Sequence, residues 1–269
     1  MYPQIFQNLK TKISHLVQTF HLNLNHKSNP QGRPLKIKNE DALALALYRH
    51  TSTRATKKSV FEDFKDTLRC SYKTLVVAIN RVAQWSMKIL FLLMRMGKKH
   101  GHLVKYTDAT DLPVCLKKNA DSHRTMRSFS GFGHSAKGWY YGLKMTLTRD
   151  AWGNILGLRF TAPAKNDRDI FRSINRDIEG IIVADAGYVS KQLERDMNLE
   201  GRRWILIRPY KTMRRIMTKW QERLYRSRFM IEFDFRSMKL FHGLVTSLPR
   251  SVNGYLANYL NSILSFVIA

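Results

Sequence analysis

The hydrophobic pattern of this chain changes character at Gly97, and that change limits what it can fold into more than any other feature. Before it, apolar residues recur at helical spacing; after it, they gather into short runs separated by turn residues, the texture of strands. Strands are read at 102–108, 138–148, 154–161, 181–185 and 203–208, and helices at 167–178, 189–198 and 218–240. The order β-β-β-α-β-α-β-α calls for an α/β domain. Three antiparallel strands lead into α/β crossovers, which sets the end of the first strand beside the end of the fourth. Two aspartates stand at those ends, Asp108 in KYTDAT and Asp185 in IIVADAGY.

The first part reads as all-helical. Residues 1–24 place Ile5, Phe6, Leu9, Ile13, Leu16 and Val17 on one face. The polar stretch 26–39, with Gly32-Arg33-Pro34 at its centre, is a basic connector. A helix then starts at Asn39 as its cap, with Glu40 and Asp41 at its positive end. Another follows at 56–69, and a third runs from an N-cap at Ser71 to Met96. A short helix, a tight junction at Cys70-Ser71 and a following helix outline a helix-turn-helix. Its last helix would offer Tyr72, Lys73 and Thr74 to a major groove. Two domains are expected, 1–96 and 97–269.

Charge names the partner. With 46 Lys and Arg against 20 Asp and Glu, the net charge of +26 is spread along the whole length. Nucleic acid is bound largely by phosphate neutralisation, whereas a membrane surface calls for a basic amphipathic helix or lipid signal that the sequence lacks. The apolar runs at 89–96 and 256–269 are too short and interrupted to span a bilayer. Cys70 and Cys115 cannot build a disulfide framework or a four-thiolate zinc site, and no apolar signal segment follows MYPQIFQNLK. A soluble, cytoplasmic protein is expected. Gly131-x-Gly133-x-x-Ala136 matches a dinucleotide fingerprint loosely but lacks its strand-turn-helix setting, and His100-Gly-His102 fits no metal-site spacing.

The chemistry gathers on the last predicted helix. There Tyr225, Arg228, Glu232 and Lys239 fall within an arc of about 60° at 100° per residue, one carboxylate flanked by donors. Asp108, Asp185 and Glu232 offer the hard oxygen ligands that Mg2+ prefers, and a pair of such ions activates water against a phosphodiester. Asp111 lies close enough to compete with Asp108, but it precedes Leu-Pro and reads as turn.

Asp-Ala-Thr at 108–110 with Pro-Val-Cys at 113–115, Gly-Trp-Tyr-Tyr-Gly-Leu-Lys at 138–144, Asp-x-Gly-Tyr at 185–188 and the Y-R-E-K set at 225–239 together resemble the DDE transposases of bacterial insertion sequences. The resemblance runs from about residue 31 onward. It implies a ribonuclease-H-like catalytic domain behind the helix-turn-helix-like domain, with two Mg2+ ions, Mn2+ substituting, held by Asp108, Asp185 and Glu232. Tyr225, Arg228 and Lys239 would contact DNA phosphates near the scissile position. It further implies cleavage at the terminal inverted repeats of a mobile element, strand transfer into target DNA, and a homodimer to serve two ends. The nearest alternatives are a structure-selective nuclease that does not join strands and a non-catalytic DNA-binding remnant.

Overall fold

The computed structural model describes residues 3–24, 34–52, 54, 56–135, 138–188, 190–207 and 217–268. Gly32 and Arg33, the centre of the expected connector, lie outside them. In chain order the helices are α1 (Gln4–Thr19), α2 (Asn39–Thr51), α3 (Lys57–Leu68), α4 (Tyr72–Arg81), α5 (Ala83–His100), α6 (Asp167–Ile174), α7 (Lys191–Glu200), α8 (Lys219–Arg226), α9 (Phe229–Leu240) and α10 (Val252–Ile268). The strands are β1 (Val104–Cys115), β2 (Gly131–Ser135), β3 (Gly138–Asp150), β4 (Ile155–Thr161), β5 (Gly180–Ala184) and β6 (Arg203–Ile207). They form two compact units, Met1–Leu92 with Ser237–Ala269, and Leu93–Arg236.

The expected assignment of everything after residue 96 to one domain therefore needs correcting. α10 packs on α2 and α4, and buried polar bonds fasten it there: Arg49 Nη1 donates to Asn258 Oδ1 (2.7 Å) and Ser86 Oγ to Asn261 Oδ1 (2.6 Å). α2 explains why a further helix is needed. Every residue from Ala42 to His50 is buried, and a helix that is apolar nearly all round needs neighbours on every side, here α1, α3, α4 and α10. Phe64 of α3 stacks edge-on against Phe6 and Tyr48, with centroids 5.1 and 5.0 Å away.

Two local expectations also change. Asn39 does not cap α2, which begins from Lys38; its amide instead donates to Leu24 O (2.5 Å) and accepts from Arg81 Nε (2.9 Å). The helix expected from Ser71 to Met96 is interrupted at Val82, where Trp85 N bonds to Val82 O (2.9 Å) across a tight turn. The short-helix, junction, helix outline remains, with Arg69 left-handed (φ 44°) and Ser71 Oγ accepting from Thr74 N. By length and composition 72–100 is apolar enough to cross a membrane, yet Leu75, Ala78, Ile79, Val82, Ile89 and Leu90 are core residues of the helical unit.

The second unit is a mixed sheet in which β3, β1, β5 and β6 lie in that order, while β2 and β4 share the outer edge of β3. β1 runs antiparallel to β3 and parallel to β5, and β5 is parallel to β6, as the β-β-β-α-β-α-β-α order calls for. Leu156, Phe171, Ile182, Tyr188, Leu193 and Met197 form the core under α6 and α7. Gly142 on β3 has no alternative, since a Cβ there would sit 2.1 Å from Leu112 O of β1.

Three readings shift in this unit. β1 continues through Asp111 and Pro113 to Cys115, so Asp111 is strand and not turn; the proline is tolerated where the register slips between Pro113 and Cys115. Asp108 and Asp111, three residues apart on one strand, point to opposite faces. β2 was not expected at all. The helix read as 218–240 is two helices, α8 and α9, broken at Ser227-Arg228.

Candidate active site

The paired residues Thr107 and Ala184 are the last in the parallel ladder of β1 and β5, and Asp108 and Asp185 each come next. The two carboxylates therefore start from neighbouring backbone positions on strands ~4.8 Å apart. Asp108 stays on β1, opposite Leu147 of β3, while Asp185 leads into a single helical turn.

The break between α8 and α9 brings the remaining groups to them. Around Ser227 the helical bonds tighten to a three-residue span: Arg228 N to Tyr225 O, Met230 N to Ser227 O and Ile231 N to Arg228 O, each 3.1 Å. Ser227 Oγ donates to Leu224 O (2.7 Å), a side-chain bond that competes with a regular ladder, and accepts from the hydroxyl of Tyr106 (2.8 Å). Tyr106 lies two residues before Asp108 on the same face of β1, so this bond holds the junction over the aspartate. A second anchor fixes α9. Arg149 of β3, almost fully buried, donates through Nη1 to Asp234 Oδ2 (2.7 Å), two residues beyond Glu232.

Held this way, Arg228 links the carboxylates. Its Nη1 donates to Asp108 Oδ2 (2.8 Å) and its Nη2 to Glu232 Oε1 (2.6 Å), while its guanidinium carbon lies 5.8 Å from the Tyr225 ring centre. Tyr225 donates its hydroxyl to Asp185 Oδ1 (3.3 Å). The sequence-predicted set thus meets as one cluster of Asp108, Asp185, Tyr225, Arg228 and Glu232. Lys239 lies two turns further along α9. Tyr72, Lys73 and Thr74 form the first turn of α4 in the helical unit, the first two exposed. Tyr106, Ser227, Arg149 and Asp234 were missed. Only Tyr106 left a signal, its alternation with Asp108 on the strand.

Among the described residues this cluster holds three carboxylates and one guanidinium. Burial pushes the Asp108 carboxyl up to about 6, and the charges of Asp185 and Glu232 add to it against the opposing pull of Arg228 and the Ala109 amide. Burial lowers the Arg228 guanidinium, but the same carboxylates more than offset this and hold it above its ordinary value. Burial raises the Tyr225 phenol, with Asp185 adding.

A divalent cation fits this donor chemistry: hard carboxylate oxygens, of which Asp108 is raised by burial with the charges of Asp185 and Glu232 adding. Asp108 and Asp185 are the adjacent pair suited to share it. Glu232 is engaged by Arg228, and among the described residues no three His, Cys, Asp or Glu side chains converge as a ready-made metal group.

No curated protein sequence matches the chain. Among solved structures, the Mos1 mariner paired end complex with Mn aligns at 10% identity over 83% of this chain and 85% of its own, with a TM-score of 0.25. A pre-cleavage Mos1 transpososome aligns at 10% identity over 99% and 98%, with a TM-score of 0.26. Likeness at that level adds nothing to the assignment. The sequence itself decides it: the family model described as a transposase DDE domain matches residues 97–251, more than half of the chain, and the protein belongs to that transposase family.

Proposed function

We propose that this transposase cuts DNA strands at the terminal inverted repeats of a mobile element and joins the freed ends to target DNA, using Asp108, Asp185 and Glu232 as its carboxylates. The observation that supports this reading best is the seating of Asp108 and Asp185 on adjacent parallel strands with the Tyr225-Arg228-Glu232 turn fastened over them.

Asp108 and Asp185 would hold the divalent ions, Mg2+ with Mn2+ substituting, and Glu232 would join them when its ion pair with Arg228 opens. When bound, such ions supply Lewis acidity to the attacking and leaving oxygens of a phosphodiester. Arg228 would then have its Nη2 released for a non-bridging oxygen of the scissile phosphate while its Nη1 stays on Asp108. Tyr225 keeps Asp185 oriented through its hydroxyl and supports the Arg228 plane with its ring. In cleavage, a water oxygen bonds to phosphorus as the bond to the 3′ oxygen breaks, leaving a 3′-hydroxyl. In joining, that hydroxyl attacks a target phosphodiester, so one phosphodiester is exchanged for another and no covalent enzyme intermediate is needed. Two element ends handled together call for a homodimer.

The test uses labelled DNA carrying an element end, with Mg2+ or Mn2+. Asp185→Ala is expected to abolish both cutting and joining while duplex binding persists. Cutting at the wild-type rate by this variant would refute the role of the carboxylates, and wild-type cutting without joined product would leave a nuclease.

A further inference from the structure

The helical unit contains a cavity of about 450 Å³ that plays no part in the chemistry above. Its wall includes Arg49, Lys57, Lys58 and Arg250, together with Thr56, Ser251 and Tyr72, and among the described residues none that lines it is acidic. Two of these cations are drawn into the protein. Arg49 is only 7% exposed and donates to the neutral amide of Asn258 (2.7 Å). Lys57 donates to another neutral amide, Asn80 Oδ1 (2.5 Å), and burial, with Arg49 adding, lowers its ammonium to about 8. Lys58 is partly balanced by Glu62 (2.8 Å) and lies over the rings of Phe61 and Tyr72.

The backbone contributes in the same sense. Lining residues come from the first turns of α3 and α4 and from the start of α10, where Ser251 Oγ accepts from Gly254 N (3.1 Å). Helix N-termini carry partial positive charge. Bringing cations together and burying them costs free energy that an anion in the cavity would return. The hydroxyls of Thr56 and Ser251 add donors of the kind that phosphate oxygens accept.

We propose that this cavity is a phosphate-binding site in which Lys57, Arg49 and Arg250 neutralise the ligand. The phosphate is either a backbone phosphodiester of bound DNA or part of a free phosphate compound. The first source rests on the reading of the protein as a DNA transposase, and it places a backbone contact beside Tyr72, the residue expected at the groove. Neither binding readout below uses strand cutting, so failure of the site and failure of the catalytic reading are separable.

The experiment uses the full chain with two probes, inorganic pyrophosphate in a thermal-shift assay and a labelled random-sequence duplex titrated with salt. The variants are Lys57→Gln and the exposed Arg250→Gln, with Lys57→Arg as the conservative replacement and exposed Lys118→Gln in the other unit as the charge control. Pyrophosphate should raise the melting temperature of the wild type, less so in Lys57→Gln and Arg250→Gln, with Lys57→Arg largely restoring the response. If the ligand is DNA, each of the two variants should also weaken the duplex about eightfold at 0.1 M salt and reduce the salt slope by about one, the value of one phosphate contact. Loss of the pyrophosphate response with unchanged duplex binding supports a free phosphate compound. Wild-type behaviour in both arms from folded Arg250→Gln, or an equal loss from Lys118→Gln, overturns the site.

Discussion

Replacing Asp108 with Asn should stabilise the metal-free protein while removing its chemistry, and the effect should depend on pH in one direction only. Burial raises the Asp108 carboxyl from 3.8 to about 6. The folded state therefore holds the proton more tightly than the unfolded chain does. Below about pH 4 both states are protonated and there is no penalty. As pH rises from about 4 to 6 the unfolded carboxyl ionises first, so wild-type stability falls; above about 6 the loss is complete. The displacement corresponds to ~3 kcal/mol, an upper limit because part of the carboxyl meets solvent. An Asn, neutral and of the same shape, escapes that penalty. In EDTA at pH 8, Asp108→Asn should melt up to about 6–12 °C above wild type, at ~2–4 °C per kcal/mol, and the two should converge near pH 4. Adding Mn2+ should raise the wild type and leave the variant nearly unmoved. A difference that does not vary with pH, or an Asn variant less stable than wild type at pH 8 without metal, would refute this account of the cluster.

Two further outcomes concern how the cluster is held. Arg149→Met leaves Asp234 half-buried without its cation, and burial already raises that carboxyl against the pull of Arg149; a loss of about 3 kcal/mol is expected in urea denaturation at pH 7, shrinking as the pH is lowered toward 4. Gly142→Ala forces a Cβ against the Leu112 carbonyl, so the β1–β3 pair must separate; stability should fall by more than 2 kcal/mol, and hydrogen exchange of the β1 amides near Leu112 should quicken.

The parts of this fold that were legible are those set by local pattern. The apolar runs ending at Asp108 and Asp185 identify where the parallel β1–β5 ladder stops, because a parallel crossover leaves few other arrangements, but not that β1 itself runs on past Asp108 to Cys115. The illegible parts depend on residues far apart in the chain. Gly131-Phe132-Gly133-His134-Ser135 has loop composition and becomes a strand because β3 offers it an edge. Residues 218–240 keep helical periodicity throughout, and the break at Ser227 goes with a side-chain bond to Leu224 O and with the bond from Tyr106, more than a hundred residues upstream, which no local pattern announces. The Y-R-E-K arc assumed one helix; the break, not the arc, brings Tyr225 to Asp185 and Arg228 to Asp108. The tail after Ser237 is apolar enough to be recognised as core, but nothing local says whose core, since its partners Arg49 and Ser86 are separated from it by the entire sheet.

That last arrangement bears on how the chain acquires its structure during synthesis. The first ninety or so residues leave the ribosome with α2 lacking one of its four neighbours, and they wait while the whole sheet is made before α10 arrives to cover Arg49 and Ser86. The sheet needs no such late partner. Nascent molecules therefore pass through a stage in which the carboxylate-bearing unit is complete and the helical unit is not, and a stop codon just before α10 would yield protein with its sheet and carboxylates in place and its helical core open on the side that α10 covers.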